Sequence, residues 1–129
     1  MHEQLTQLRE ALLRLHKTLV DSERISYEQT IGTISSPYHF LNLLNDDPWF
    51  AWLHPLSLLI VAMDQALDDK RHRVTDADKQ ALINRARELL VASEVGDGFS
   101  KHYYDALQRD PDVVLAHGAA AKWFSRQTK

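Results

Sequence analysis

Leucines at positions 5, 8, 12, 15 and 19 are spaced alternately by three and four residues. That spacing lays one apolar stripe along one side of an α-helix, and it fits neither face of a strand. A helix marked in this way must bury its stripe against a neighbour. The neighbours on offer are also helices, because no stretch of the chain alternates apolar and polar residues as a half-buried strand does. The first helix is expected over residues 3–31, stopped by Gly32 and the turn-forming Ser35-Ser36-Pro37.

Glycine and proline punctuate the rest of the chain. A short helix is expected from Pro37 to Asn45, and Asp47-Pro48 reads as an N-cap with proline at the first helical position. The segment it opens runs to about Asp69 and contains Pro55, which lacks the amide that would bond back to residue 51. The consequence is either a kink or a break into two pieces. Leu56 to Met63 is apolar nearly all round and is expected to be the most buried helix. Thr75 with Asp78 three residues on starts another helix, running to about Ser93 and ended by Gly96-Asp97-Gly98. Two shorter helices are expected near 99–109 and 112–126. The fold class is all-α: a single domain over residues 1–129, a compact bundle of four main helices plus one or two short ones.

Composition excludes several functions. With 44% hydrophobic and 26% charged residues the chain is not a disordered one. It has no cysteine, which removes disulfide scaffolds, thiolate metal sites and cysteine nucleophiles, and fits a reducing compartment. The start, MHEQLTQLRE, lacks the basic and apolar regions of a secretory signal, and Leu56–Met63 is far short of the ~20 residues of a membrane span. A net charge of −3 with interspersed signs does not attract nucleic acid or anionic membrane. Neither is expected as a partner, and the expected location is the cytoplasm.

Motifs for chemistry are sparse. Seven histidines include no His-x-x-x-His pair, and only Asp69 to His72 approaches the Glu-x-x-His spacing of a di-iron bundle. No metal or cofactor is expected. Gly96-x-Gly98 lacks the strand and lysine of a phosphate loop. His54, Ser57 and Asp64 share a helix face, but His54 and Asp64 lie about 15 Å apart along a helix axis. They form a polar strip and no triad. Lys70-Arg71-His72-Arg73, flanked by aspartates, reads as a solvated turn.

A few residues break the pattern. Glu23 projects near the middle of the leucine arc, with Tyr27 on its flank and His16 at its edge. A buried carboxylate is costly unless it is paired, hydrogen-bonded or protonated. Either Glu23 anchors a polar pocket, or it pairs with an arginine or meets water. His117 shares a face with Val113, Ala120 and Phe124 and reads as a satisfied core histidine. The small run from Gly118 and Ala119 to Ala121 permits close approach, within the bundle or between subunits. Trp49 and Trp52 point with Leu56 and Met63 into the core, whereas Phe50 projects with Val61 towards an interface.

The segment from Asp47 to Ser57, DPWFAWLHPLS, resembles a stretch in small bacterial helical proteins without assigned function. The resemblance implies a bacterial helical bundle and no activity. Two readings of function are open. The first is a binding or regulatory module acting through protein–protein contacts, as a homodimer, with Phe50, Val61, Gly118 and Ala119 as interface residues. The second is a ligand- or cofactor-binding bundle, enzymes included, with a pocket lined by His16, Glu23, Tyr27, Trp49, Trp52 and His54. No catalytic residue stands out for either.

Overall fold

The computed structural model describes residues 1–127, and every regular element among them is helical. The order is α1 (His2–Thr30), α2 (Pro37–Asp46), a 3₁₀ helix (Pro48–Leu53), α3 (His54–Leu67), α4 (Asp76–Leu89), α5 (Gly98–Arg109) and α6 (Pro111–Gln127). The four longer helices, α1, α3, α4 and α6, make the bundle, and α2 and α5 are the short additions.

The hub is α1. Leu5, Leu8, Leu12, Leu15 and Leu19 have no exposed surface. They face α3, α4 and α6, with α5 and the 3₁₀ helix covering the remaining length. Burying one such side chain is worth roughly 1.5–3 kcal/mol, so this stripe is a major apolar contribution from one element. The apolar helix α3 is less buried than its composition suggests. Leu56, Leu59, Ile60 and Met63 enter the core, but Leu58 is 66% and Val61 49% exposed. Neighbouring helices cover one side of α3 and leave its other apolar side open.

Local chemistry sets the boundaries. The Ser36 side chain accepts from the His39 amide at 3.0 Å, and Pro37 occupies the first turn of α2. Asp47 Oδ1 accepts from the Trp49 amide at 2.8 Å and opens a 3₁₀ helix, where a regular α-helix was expected. Pro55 then sits in the first turn of α3, where its missing amide costs nothing, so the proline separates two elements. Thr75 and Asp78 form a reciprocal capping box on α4. That helix ends at Leu89, short of Ser93, because Leu90 leaves helical backbone at φ −82°, ψ 34°.

The basic turn from Lys70 to Arg73 is exposed. Asp69 ties it down by accepting from the amides of Val74 and Arg73. The Val74 bond above all holds this carboxyl below the usual carboxylate range. Taken together, Pro48–Leu67 spans 20 residues with mean hydropathy 1.3, long and apolar enough to cross a membrane by length and composition. In the fold it is no continuous α-helix, and Phe50, Trp52, Leu53, Leu56, Leu59, Ile60, Met63 and Ala66 from it pack into the bundle core.

Candidate functional site

Glu23 is 6% exposed, about two turns before the end of α1. Both of its oxygens are engaged. Arg109, at the end of α5, donates to Oε1 at 3.0 Å and also to Ser22 Oγ at 3.1 Å. Trp49 Nε1 donates to Oε2 at 2.9 Å. Tyr27 packs its ring edge-on to Trp49 (5.7 Å) and against Phe50 (5.5 Å). Glu23, Tyr27 and Trp49 therefore meet as the sequence suggests, but in a clamp that fastens α1 to α5 and to the 3₁₀ helix. Both carboxylate oxygens thus already have protein donors, one of them charged.

Two other pocket residues, His16 and His54, face a different cavity. It measures about 220 Å³ and is bounded by α1, α2, the 3₁₀ helix and α3, with Val20, Phe50, Leu53 and Ser57 among its walls. His16 Nε2 lies 2.6 Å from Ser57 Oγ, and Ser57 donates to the Leu53 carbonyl at 3.3 Å. Burial lowers the His16 pKa below the ordinary 6.5. Because the Ser57 proton is given to the Leu53 carbonyl, Nε2–H of the neutral ring donates to the hydroxyl, and the ring's lone pair lies on Nδ1, away from the serine. No carboxylate is bonded to His16 among the described residues, so this pair is a helix-to-helix rung and no nucleophile–base dyad. His54 is exposed and donates Nε2–H to the Leu44 carbonyl at 3.0 Å, fastening α2 to the start of α3. Asp64 pairs with Arg9 of α1. His54, Ser57 and Asp64 thus each have a separate partner, as a polar strip requires.

Trp52 does not join these groups. It is 8% exposed, stacked on His102 (5.4 Å, 17°) and tilted against Phe99. Its Nε1 finds no acceptor among the described residues. Phe99 touches Tyr103, and the Tyr103 hydroxyl lies 2.5 Å from His117 Nδ1. His117 is thereby partnered through Nδ1 alone and is half-buried, where a satisfied core histidine was expected. It also borders a cavity of about 360 Å³ between α4 and α6, lined by Arg87, Leu90, Ala121, Phe124 and Ser125. The α4 partners in this cavity lay beyond sequence reasoning, because no spacing links α4 to α6.

Among the interface residues, Phe50 requires correction. It has no exposed surface and packs on Tyr27 and Phe40. At the 100° per residue of an α-helix Phe50 would face outward, whereas a 3₁₀ helix turns about 120° and aligns residues three apart. Phe50 and Leu53 therefore point inward together. Val61 does lie outward on α3, near a groove of about 470 Å³ lined by Pro55, Leu58, Leu59, Arg85, Glu88 and Leu89. Gly118 is exposed with nothing within 4 Å of an added Cβ, so no helix approaches it closely inside the molecule. Ala119, next to it on α6, is half-buried.

Among the described residues, no three His, Cys, Asp or Glu side chains come together to hold a metal ion. No family model, curated protein or solved structure matches the chain.

Proposed function

We propose that the protein is a small cytoplasmic binding module that works through protein–protein contacts, as a homodimer joined across the α3–α4 face. The observation that carries this reading is the uncovered apolar side of α3, with Leu58 66% exposed beside the 470 Å³ groove. Exposed leucines are ordinary singly, but here Pro55, Leu58 and Leu89 adjoin one another around that groove, with Val61 one turn on.

A second copy is the occupant because the rim is self-complementary. Arg85 and Glu88 line the same groove, and neither belongs to an ion pair among the described residues. In a two-fold dimer the same patch meets itself, so Arg85 of one copy opposes Glu88 of the other across an apolar centre. The absence of cysteine accords with a reducing compartment.

Sedimentation equilibrium tests this reading. The wild type is expected to be dimeric and Leu58→Glu monomeric, with unchanged helical circular dichroism. Arg85→Glu alone is expected to weaken the dimer, and Arg85→Glu with Glu88→Arg to restore it. A wild type that remains monomeric at high micromolar concentration would overturn the proposal, as would a dimer indifferent to Leu58→Glu.

A further inference from the structure

Tyr103 is fully buried and its hydroxyl reaches one acceptor, His117 Nδ1, at 2.5 Å. Burial pushes the phenol's pKa far above 10 and the imidazole's below 6.5. Near neutral pH the phenol therefore keeps its proton and the ring is uncharged. Nδ1 is the one acceptor the buried phenol proton reaches among the described residues, so the phenol donates, Nδ1 accepts, and the ring's own proton is left on Nε2. A side chain on α5 thus fixes the tautomer of a histidine on α6. Nε2 has no hydrogen-bond partner among the described residues.

His117 and Arg87 border the same cavity of about 360 Å³. Arg87 is positioned before any ligand arrives. Its guanidinium lies over the Phe124 ring, 5.2 Å from the centroid, and Nη1 donates to Asn84 Oδ1 at 3.3 Å. The planar fork keeps further N–H groups for a second acceptor. Among the described residues no acidic one lines the cavity, and Leu90, Ala121 and Phe124 supply apolar wall. The volume lies in the range of small-molecule sites, about 300–1,000 Å³. One guanidinium and one neutral N–H match a single negative charge, and the wall matches an apolar body attached to it.

From this geometry we infer that the cleft between α4 and α6 binds a small monocarboxylate with an apolar tail or ring, its carboxylate held by Arg87 and by His117 Nε2–H. Tyr103 acts as a positioning residue, since it sets which nitrogen of His117 carries the proton. The inference is independent of the dimer, whose face lies on the other side of α4 against α3.

Titration calorimetry with octanoate and with phenylacetate tests it, with phenylacetamide and inorganic phosphate as controls. At least one carboxylate is expected to bind and to shift the His117 ring resonances in NMR spectra, while both controls stay silent. Arg87→Gln, at an exposed position, is expected to weaken binding about ten-fold or more, the range for a lost charged hydrogen bond. Tyr103→Phe leaves the lining intact and frees Nδ1. It is expected to weaken binding several-fold and to introduce the second tautomer in ¹⁵N spectra of His117. Silence of both carboxylates at millimolar concentration would overturn the inference. So would equal binding of phenylacetamide, a preference for phosphate, or affinity unmoved by Arg87→Gln.

Discussion

Glu23 shows how far a single residue can be read from sequence. Its place on the leucine arc identified a buried carboxylate that must be compensated. Its partner could not be named, because Arg109 lies 86 positions away and nothing local connects them. The structure supplies two donors, one charged and one neutral, and this determines the effect of substitution. Glu23→Leu removes the acceptor of Trp49 Nε1 and strands the Arg109 guanidinium. Breaking a buried pair costs about 3–5 kcal/mol. Arg109 is 36% exposed and can turn to water, so a loss nearer 2 kcal/mol is expected. Glu23→Gln keeps an acceptor for the indole and is expected to cost about 1 kcal/mol. Pairing Glu23→Leu with Arg109→Met should recover part of the loss, since no charge is then left unpaired. Urea unfolding of the four proteins reads these differences; a Glu23→Leu variant as stable as the wild type would show that the clamp contributes nothing.

Helix positions were legible wherever a local signal marks a boundary, as at Thr75 and Pro37. Where two backbone geometries share one signal, they were not. Asp47-Pro48 caps a 3₁₀ helix as readily as an α-helix, and the change from 100° to about 120° per residue turned Phe50 from an outward to an inward residue. Pro55 offers a direct test of the break. In the first turn of α3 its ring obstructs no hydrogen bond, so Pro55→Ala gains none. It only frees the unfolded chain, and stability is expected to fall by about 0.4–1 kcal/mol. A proline inside a continuous helix would give the opposite sign, since its removal would relieve about 3 kcal/mol of strain. Thr75→Ala dismantles the capping box of α4 and is expected to cost about 1 kcal/mol. Chemical denaturation measures both, and a stabilised Pro55→Ala protein would contradict the separation of the two elements.

For the whole molecule, the two partly buried histidines tie stability to pH. His16 lies between α1 and α3 and faces Ser57, with His54 on the same cavity; His117 lies beside Tyr103 and Arg87. Burial lowers the pKa of both below the 6.5 of a free imidazole. As pH falls through 6.5 the unfolded chain takes up protons at these positions before the folded one does. Their contribution is therefore fully present above 6.5, declines as pH drops, and levels off once the folded rings protonate as well. Asp69, with its lowered pKa, acts in a separate window below 3.8. The urea midpoint is expected to fall between about pH 7.5 and 5, and less steeply in His16→Gln and in His117→Gln. Each protonation also has a structural consequence. A charged His117 can no longer accept from Tyr103; its Nδ1–H turns to the phenol oxygen and leaves the buried phenol proton without an acceptor, so the tie between α5 and α6 is weakened along with the cleft beside it. A charged His16 donates to Ser57 as before, so the rung between α1 and α3 keeps its hydrogen bond and loses only the advantage of an uncharged ring. Amide exchange at mildly acidic pH should therefore speed up in α5 and α6 before it does in the α1–α3 pair. The reverse order, or a urea midpoint flat across this range, would remove His117 from the set of groups that hold these helices together.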